Sequence, residues 1–399
     1  MSLAFASKPA LPAVDYVARA RELGPLIADA ASRTEAAREL TDEVVAALHE
    51  AGLFRLLMPG WLNGGEAKPS TFIEVIETIA QADASTAWCL CQMDVCSLSS
   101  VYLDRDAARE VFAPERSALA WGNTPHARAV RAPGGYRVSG EWDFGSGCHH
   151  ATWLGGHCPV LDEHGNPILD EDGRPAERTV LFPKNTTRIT DVWRVIGLRG
   201  TGSDRYALDG VFVPEKYAIT TLTRWPDAPR RDMTAPYCFG GSSLYAAGFG
   251  AVALGNARGT FDLFLKLAGG KTARGMANSL AESALTQVAV AEADTVLASA
   301  RTYLVQTLRE IEAASDEGGL SMNQRMKIRA AGTFAIRQAT KVVDRLYEMS
   351  GTTAIFEGSP FERRFRDAHT VSQHLQGRLS HFETVGKHLL GMAYEPRFV

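Results

Sequence analysis

The feature that most constrains this chain is a change of texture at residue 118 that is reversed before residue 236. Between those points Gly and Pro punctuate short runs rich in β-branched and aromatic residues, at 119–123, 127–131, 136–144, 152–160, 178–182, 189–195 and 206–213. A helix cannot absorb breakers at that density, whereas short strands joined by turns require them. On either side, apolar residues recur at steps of three and four, the period of a helix that buries one face. The segments 16–31, 33–52, 71–81 and 85–102 read as helices before the break, and 323–349 and 366–390 after it. Leu297, Ala300, Leu304, Leu308 and Ile311 mark a further bundle helix. The predicted architecture is mainly α with a central β domain: an N-terminal helical domain (1–118), a compact antiparallel β domain (119–230) and a C-terminal helical bundle (231–399).

Composition narrows the function classes. With 399 residues, 45% hydrophobic and 22% charged, the chain can bury a large core. Its net charge of -4 and the lack of a basic block argue against nucleic acid. The start lacks a positive region followed by an apolar core, and no uninterrupted apolar run is long enough for a bilayer, so a cytoplasmic protein without membrane contact is expected. Cys89, Cys91, Cys96, Cys148, Cys158 and Cys238 form no C-x-x-C pair and are expected to remain thiols. His149, His150 and His157 look like metal ligands, but adjacent strand residues point to opposite faces, and no metal is expected. Gly197 to Asp204 lacks the Gly-Lys-Ser/Thr of a phosphate loop and reads as a connection between strands.

The stretch 134–153, GGYRVSGEWDFGSGCHHATW, is the most informative within the β domain. A half-buried strand ends in Trp142, Asp143 and Phe144, then Gly145, Ser146 and Gly147. Aromatics beside Gly-Ser-Gly suit the docking of a flat ring: the aromatics wall it, the glycines admit its edge, and Ser146 can donate a hydrogen bond.

The order of domains, with GGYRVSGEWDFGSG, GLRGTGSDRYALDGVFVPE and FERRFRDAHTVSQH, resembles the acyl-CoA dehydrogenase fold over nearly the whole chain. The resemblance is closest to its branch of two-component flavin-dependent monooxygenases. In a dehydrogenase the base before the Arg-Asp would fall at Gly358; Glu357 is one residue early, and the earlier helix offers only Asp262. The monooxygenase resemblance implies an oxidoreductase that takes reduced flavin (FAD or FMN) from a separate NAD(P)H:flavin reductase. It would insert one atom of O2 into a small aromatic, indole- or phenol-like substrate through a C4a-hydroperoxyflavin. It further implies His374 and Ser146 as catalytic residues, with Asn123 facing the substrate. Trp121, Thr124, Trp142, Phe144, Ser146 and Gly147 would bind cofactor, and four copies would assemble as a homotetramer. Phenol-hydroxylating members carry a helix histidine where this chain has Cys96 or a neighbour, which leaves sulfide or amine substrates open. The competing readings are an acyl-CoA-oxidising enzyme with an unusual base and a flavin-binding relative without turnover. The sequence carries no G-x-G-x-x-G that follows a strand and opens a helix, in keeping with a separate reductase.

Overall fold

The computed structural model describes residues 14–124, 126–220, 235–314 and 319–395. The expected domain boundary at 230/231 lies outside the described residues. Among the described residues, five α-helices precede the sheet: α1 (Tyr16–Ala37), α2 (Asp42–Glu50), α3 (Pro69–Ala82), α4 (Ala84–Ser97) and α5 (Arg105–Phe112). The break expected near residue 32 is absent. α1 runs on until Arg38 adopts a left-handed conformation (φ 61°), because the chain through 32–33 contains no breaker.

Among the described residues the β domain holds eight strands: β1 (Leu119–Trp121), β2 (Arg128–Ala132), β3 (Gly135–Trp142), β4 (Trp153–Leu161), β5 (Glu177–Pro183), β6 (Arg188–Thr190), β7 (Arg205–Pro214) and β8 (Ala218–Thr220). Their order is β6-β7-β3-β2-β4-β5-β8, with β1 also paired to β4. The sheet is mixed rather than wholly antiparallel, since β4 runs parallel to both β1 and β2. The turns after Trp142 carry the chain across, so β4 lands beside β2 in the same direction instead of closing a hairpin with β3. That crossing is what puts Ser146 between the sheet and the helices.

The bundle comprises α6 (Ala235–Gly270), α7 (Ala284–Ala314), α8 (Met322–Ser350), α9 (Pro360–Gln373) and α10 (Ser380–Leu389). The single helix expected over 366–390 is two, separated at His374, whose backbone is extended (φ −63°, ψ 154°). α6 is long and apolar enough to cross a membrane, but 83% of its most apolar window is buried inside the protein. Glycines let it pack closely on its neighbours: a Cβ on Gly255 would lie 2.2 Å from the Glu77 carbonyl oxygen of α3. Arg364 of α9 is buried and donates to the Ala82 carbonyl at 3.2 Å and to Asn256 Oδ1 at 3.3 Å. It thereby satisfies α3's C-terminal carbonyls and ties α3, α6 and α9 together.

Candidate active site

Three elements far apart in sequence meet on the indole of Trp88. Trp88 lies on α4, whose start is fixed by Asp83, the acceptor for the Thr86 amide at 2.7 Å. Its ring stacks on Phe249 of α6 with centroids 3.9 Å apart. Phe249 stacks in turn on Tyr245, four residues earlier, at 5.5 Å. His374 stands edge-on to Trp88 at 5.0 Å and to Phe249 at 4.7 Å. The Trp88 Nε1–H donates to Ser146 Oγ at 3.0 Å. Ser146 and His374 therefore share one neighbour.

Ser146 sits in a tight turn. Phe144 has φ 59° and Gly147 φ 77°; the Gly145 amide donates to the Asp204 carbonyl at 3.1 Å and the Gly147 amide to that of Thr201 at 3.0 Å. A Cβ on Gly147 would fall 2.7 Å from Met93 Sδ, so both backbone and space require glycine there. A positive φ at Phe144 costs of order 1–3 kcal/mol, and the ring it turns outward is 64% exposed. Trp193 meets it edge-on at 6.1 Å.

The Ser146 hydroxyl belongs to a directional relay. Thr201 Oγ1 donates to the Leu198 carbonyl at 2.9 Å. Its one proton is thus committed, so Ser203 is the donor in the 2.6 Å contact between their oxygens. Ser146 is then the donor to Ser203 at 2.7 Å. All three are buried. The proton expected to face a cofactor points into the protein. If a ligand acceptor claims it, Ser203 can turn its own proton to Ser146, and only the link to Thr201 is lost.

His374 caps α9 and opens the next turn. Its Nδ1 accepts from the Gln376 amide at 3.4 Å, which assigns the ring proton to Nε2. Burial, then the charges of Arg329, Arg378 and His381, push its pKa down to about 3. His374 is therefore a neutral N–H donor at pH 7, not the neutral-to-cationic imidazole that its residue type suggests. His374 is off the helix, whereas His369 sits part-exposed on α9, 2.7 Å from Asp344 Oδ1.

Cys96 lies 3.5 Å from Tyr245 Oη and 3.5 Å from Gln92 Nε2. Burial pushes its thiol far up, so it supplies no base. Gln92 Nε2 also donates to the Trp121 carbonyl at 3.2 Å. Gln92, Cys96 and Tyr245 are all neutral side chains. Trp121 is 4% exposed and reaches Tyr245 electrostatically. Asn123 is exposed and exchanges backbone bonds with Asp143 at 2.8 and 2.9 Å, which places it beside the turn. Thr124 is half-buried, and its Oγ1 accepts from the His126 amide at 2.9 Å. Trp142 is a different matter: it is 0% exposed, packed between Tyr206 and Phe182. It is core of the sheet and presents no wall to a ligand, because Gly156 lets the ring lie flat on β4.

Trp88, Tyr245, Phe249, Thr201 and Ser203 are not among the residues that the sequence singles out. The spacing of Tyr245 and Phe249 on one helical face was legible; their meeting with Trp88 was not. Glu357 and Asp262 are both exposed. Among the described residues, no three His, Cys, Asp or Glu side chains are grouped to hold a metal ion.

Residues 247–378 match the family described as acyl-CoA dehydrogenase, C-terminal domain. The chain is similar to the flavin-dependent monooxygenase oxygenase subunit HsaA of Rhodococcus jostii (strain RHA1), at 32% identity over 88% of this chain and 91% of that protein. It is similar to the oxygenase component of the FADH2-dependent resorcinol hydroxylase of a Rhizobium species (strain MTP-10005), at 27% identity over 97% of this chain and 96% of that one. The crystal structure of 3-HSA hydroxylase from Rhodococcus sp. RHA1 superposes with a TM-score of 0.88 at 27% identity, covering 97% of this chain and 99% of the other.

Proposed function

We propose, from the premise that this chain belongs to the flavin-dependent monooxygenases as an oxygenase subunit of acyl-CoA dehydrogenase fold, that it inserts one oxygen atom of O2 into a small, uncharged aromatic substrate. The observation that carries this reading is the convergence of Ser146 and His374 on Trp88, in a corner that holds no carboxylate base.

The residues fit a flavin. Phe144 offers an outward aromatic face with Trp193 at its edge. Glycine at 145 and 147 lets the turn pack directly on Tyr206 and Met93, which fixes where Ser146 stands. Bound reduced flavin supplies the electrons and reacts with O2. This chain's residues do the rest. Phe144, Trp193 and Gly147 hold the ring. Ser146 turns its proton outward, backed by Trp88 and Ser203. His374 holds a proton at Nε2 for an acceptor oxygen. Trp88, Phe249 and Tyr245 exclude water, and Gln92, Cys96 and Tyr245 make a neutral polar end for a substrate hydroxyl or indole N–H. Asn123 and Thr124 lie at the side of the turn, where a substrate would pass.

Reduced flavin comes from a separate reductase, in keeping with relatives named as oxygenase subunits and components. Assembly into a homotetramer in the cytoplasm completes the proposal. Leu285 (77% exposed), Leu389 (79%) and Leu390 (76%) on the bundle's outer faces would be covered by further copies. The dehydrogenase reading is disfavoured because Glu357 and Asp262 face solvent. The test is to mix the protein with chemically reduced flavin, O2 and a panel of phenols and indoles, and to look for products heavier by one oxygen atom. Reduction of oxidised flavin by an acyl-CoA, with no oxygenated product, would overturn the assignment.

A further inference from the structure

A second concave site lies away from the Trp88 cluster. A cavity of about 500 Å³ opens between α2, the segment before β1, the turn that leads into β4, and the end of β5. Its polar lining is His49, Arg116, His150, Thr152, Lys184 and Asn185, and no carboxylate lines it. That is an unusual bias in a chain of net charge -4.

The donors are unspent. Arg116 has no hydrogen-bond or ion-pair partner among the described residues. Lys184 Nζ gives one proton to the His149 carbonyl at 2.6 Å and keeps two. The Nε2 of His150 accepts from the Leu40 amide at 3.2 Å, which leaves its ring proton on Nδ1 with no protein acceptor. Nδ1 of His49 is buried and unpartnered. Both imidazoles are pushed down to about 4, by burial first and then by neighbouring groups: Arg116 and Arg55 at His49, and His149 and Lys184 at His150. Asp42 acts on His150 in the opposite sense and is outweighed. With Arg116 and Lys184 matched by no lining carboxylate, the cavity's own lining is net positive.

We propose that this cavity binds phosphate, free or as the end of a phosphomonoester. A guanidinium fork, an ammonium and two imidazole edges, arriving from four separate segments, surround a tetrahedral dianion better than a planar carboxylate. Thr152 is held in place by its own bonds to Ala118, at 3.2 and 3.1 Å, so the floor is rigid. His150 follows Ser146 in the same turn, its amide bonded to the Gly147 carbonyl at 2.9 Å. An occupant would therefore brace the turn that carries Ser146.

The test uses the full-length protein at pH 7 and constant ionic strength in chloride, titrated calorimetrically with inorganic phosphate, glycerol 3-phosphate and acetate. Saturable phosphate binding is expected, weakened about tenfold by Arg116→Ala or Lys184→Ala alone and lost in the double variant. Side-chain NMR should show the His49 and His150 titrations moving up when phosphate is present, since an anion favours the imidazolium. Tighter binding of glycerol 3-phosphate would identify an ester as the occupant, and equal binding would identify the free ion. Absence of saturation at tens of millimolar phosphate, acetate binding as tightly as phosphate, or unchanged affinity in the double variant would each overturn the proposal. Arg116 is exposed and Lys184 part-exposed, so neither substitution threatens folding.

Discussion

Replacing Ser146 by Ala should have two separable effects. The first is on stability. Trp88 Nε1 loses its acceptor in a site where Trp88 is only 7% exposed, and stranding a buried donor costs about 1–3 kcal/mol. Ser203 is not stranded, because its proton already goes to Thr201. The second effect is on coupling, the share of O2 that reaches product rather than free hydrogen peroxide. A hydrogen bond to a charged or strongly polarised group contributes about 1.5–3 kcal/mol, so peroxide loss should accelerate about 10- to 150-fold. Denaturant unfolding reads the first effect; product and hydrogen peroxide, measured together in a reaction started with reduced flavin, read the second. Ser203→Ala is the matched control. It removes the inner acceptor but leaves Ser146 its proton and its bond from Trp88, so coupling should change by no more than about threefold. If Ser203→Ala uncouples as strongly as Ser146→Ala, the directional relay is wrong. If Ser146→Ala keeps full coupling, the hydroxyl is only a partner for Trp88.

His374→Ala should lower product formation by roughly 10²–10⁴-fold while reduced flavin still binds, whereas His369→Ala, beside Asp344 on α9, should do much less; equal yields from both variants would remove His374 from the chemistry. Because His374 stays neutral down to about pH 3, the product yield should show no ionisation near pH 6.5 that His374→Ala abolishes. His49, His150, His157 and His381 are held near 4 and His374 near 3. The unfolded chain therefore binds more protons below about pH 6.5, and stability should fall as pH drops from 6.5 toward 4. Asp367, raised to about 7 by burial, works against this loss; denaturant unfolding that is flat between pH 7 and 5 would refute the net direction. Light scattering at micromolar concentration should give the mass of four chains, and a monomer would exclude the tetramer. Purified protein with added flavin should not consume NAD(P)H unless a reductase is supplied.

The architecture was legible because it rests on periodicity and breakers, which are local. Six of the seven expected runs match strands within two residues; the run 189–195 is strand only over Arg188–Thr190 and β8 was not foreseen, while α8 (Met322–Ser350) closely follows its apolar spacing. The turn at Ser146 was legible too, since Gly147 adopts a left-handed backbone that other residues rarely take and Gly145 permits a close approach to Tyr206. What the chain order could not give was anything decided by which surfaces meet. The parallel pairings of β4 depend on a crossing that no local pattern encodes. Trp142 and Trp88 are both tryptophans in apolar stretches, yet packing on Gly156 puts the first in the sheet core, while Phe249 and Ser146 make the second the hub of the site. The sequence by itself determined the composition of the site: a serine in a glycine turn, a histidine after Arg-Asp, no base at residue 358. Only the tertiary structure decided their states. Proton positions along Ser146, Ser203 and Thr201, and the charge on His374, follow from burial and from partners on other segments, and those are long-range electrostatic facts.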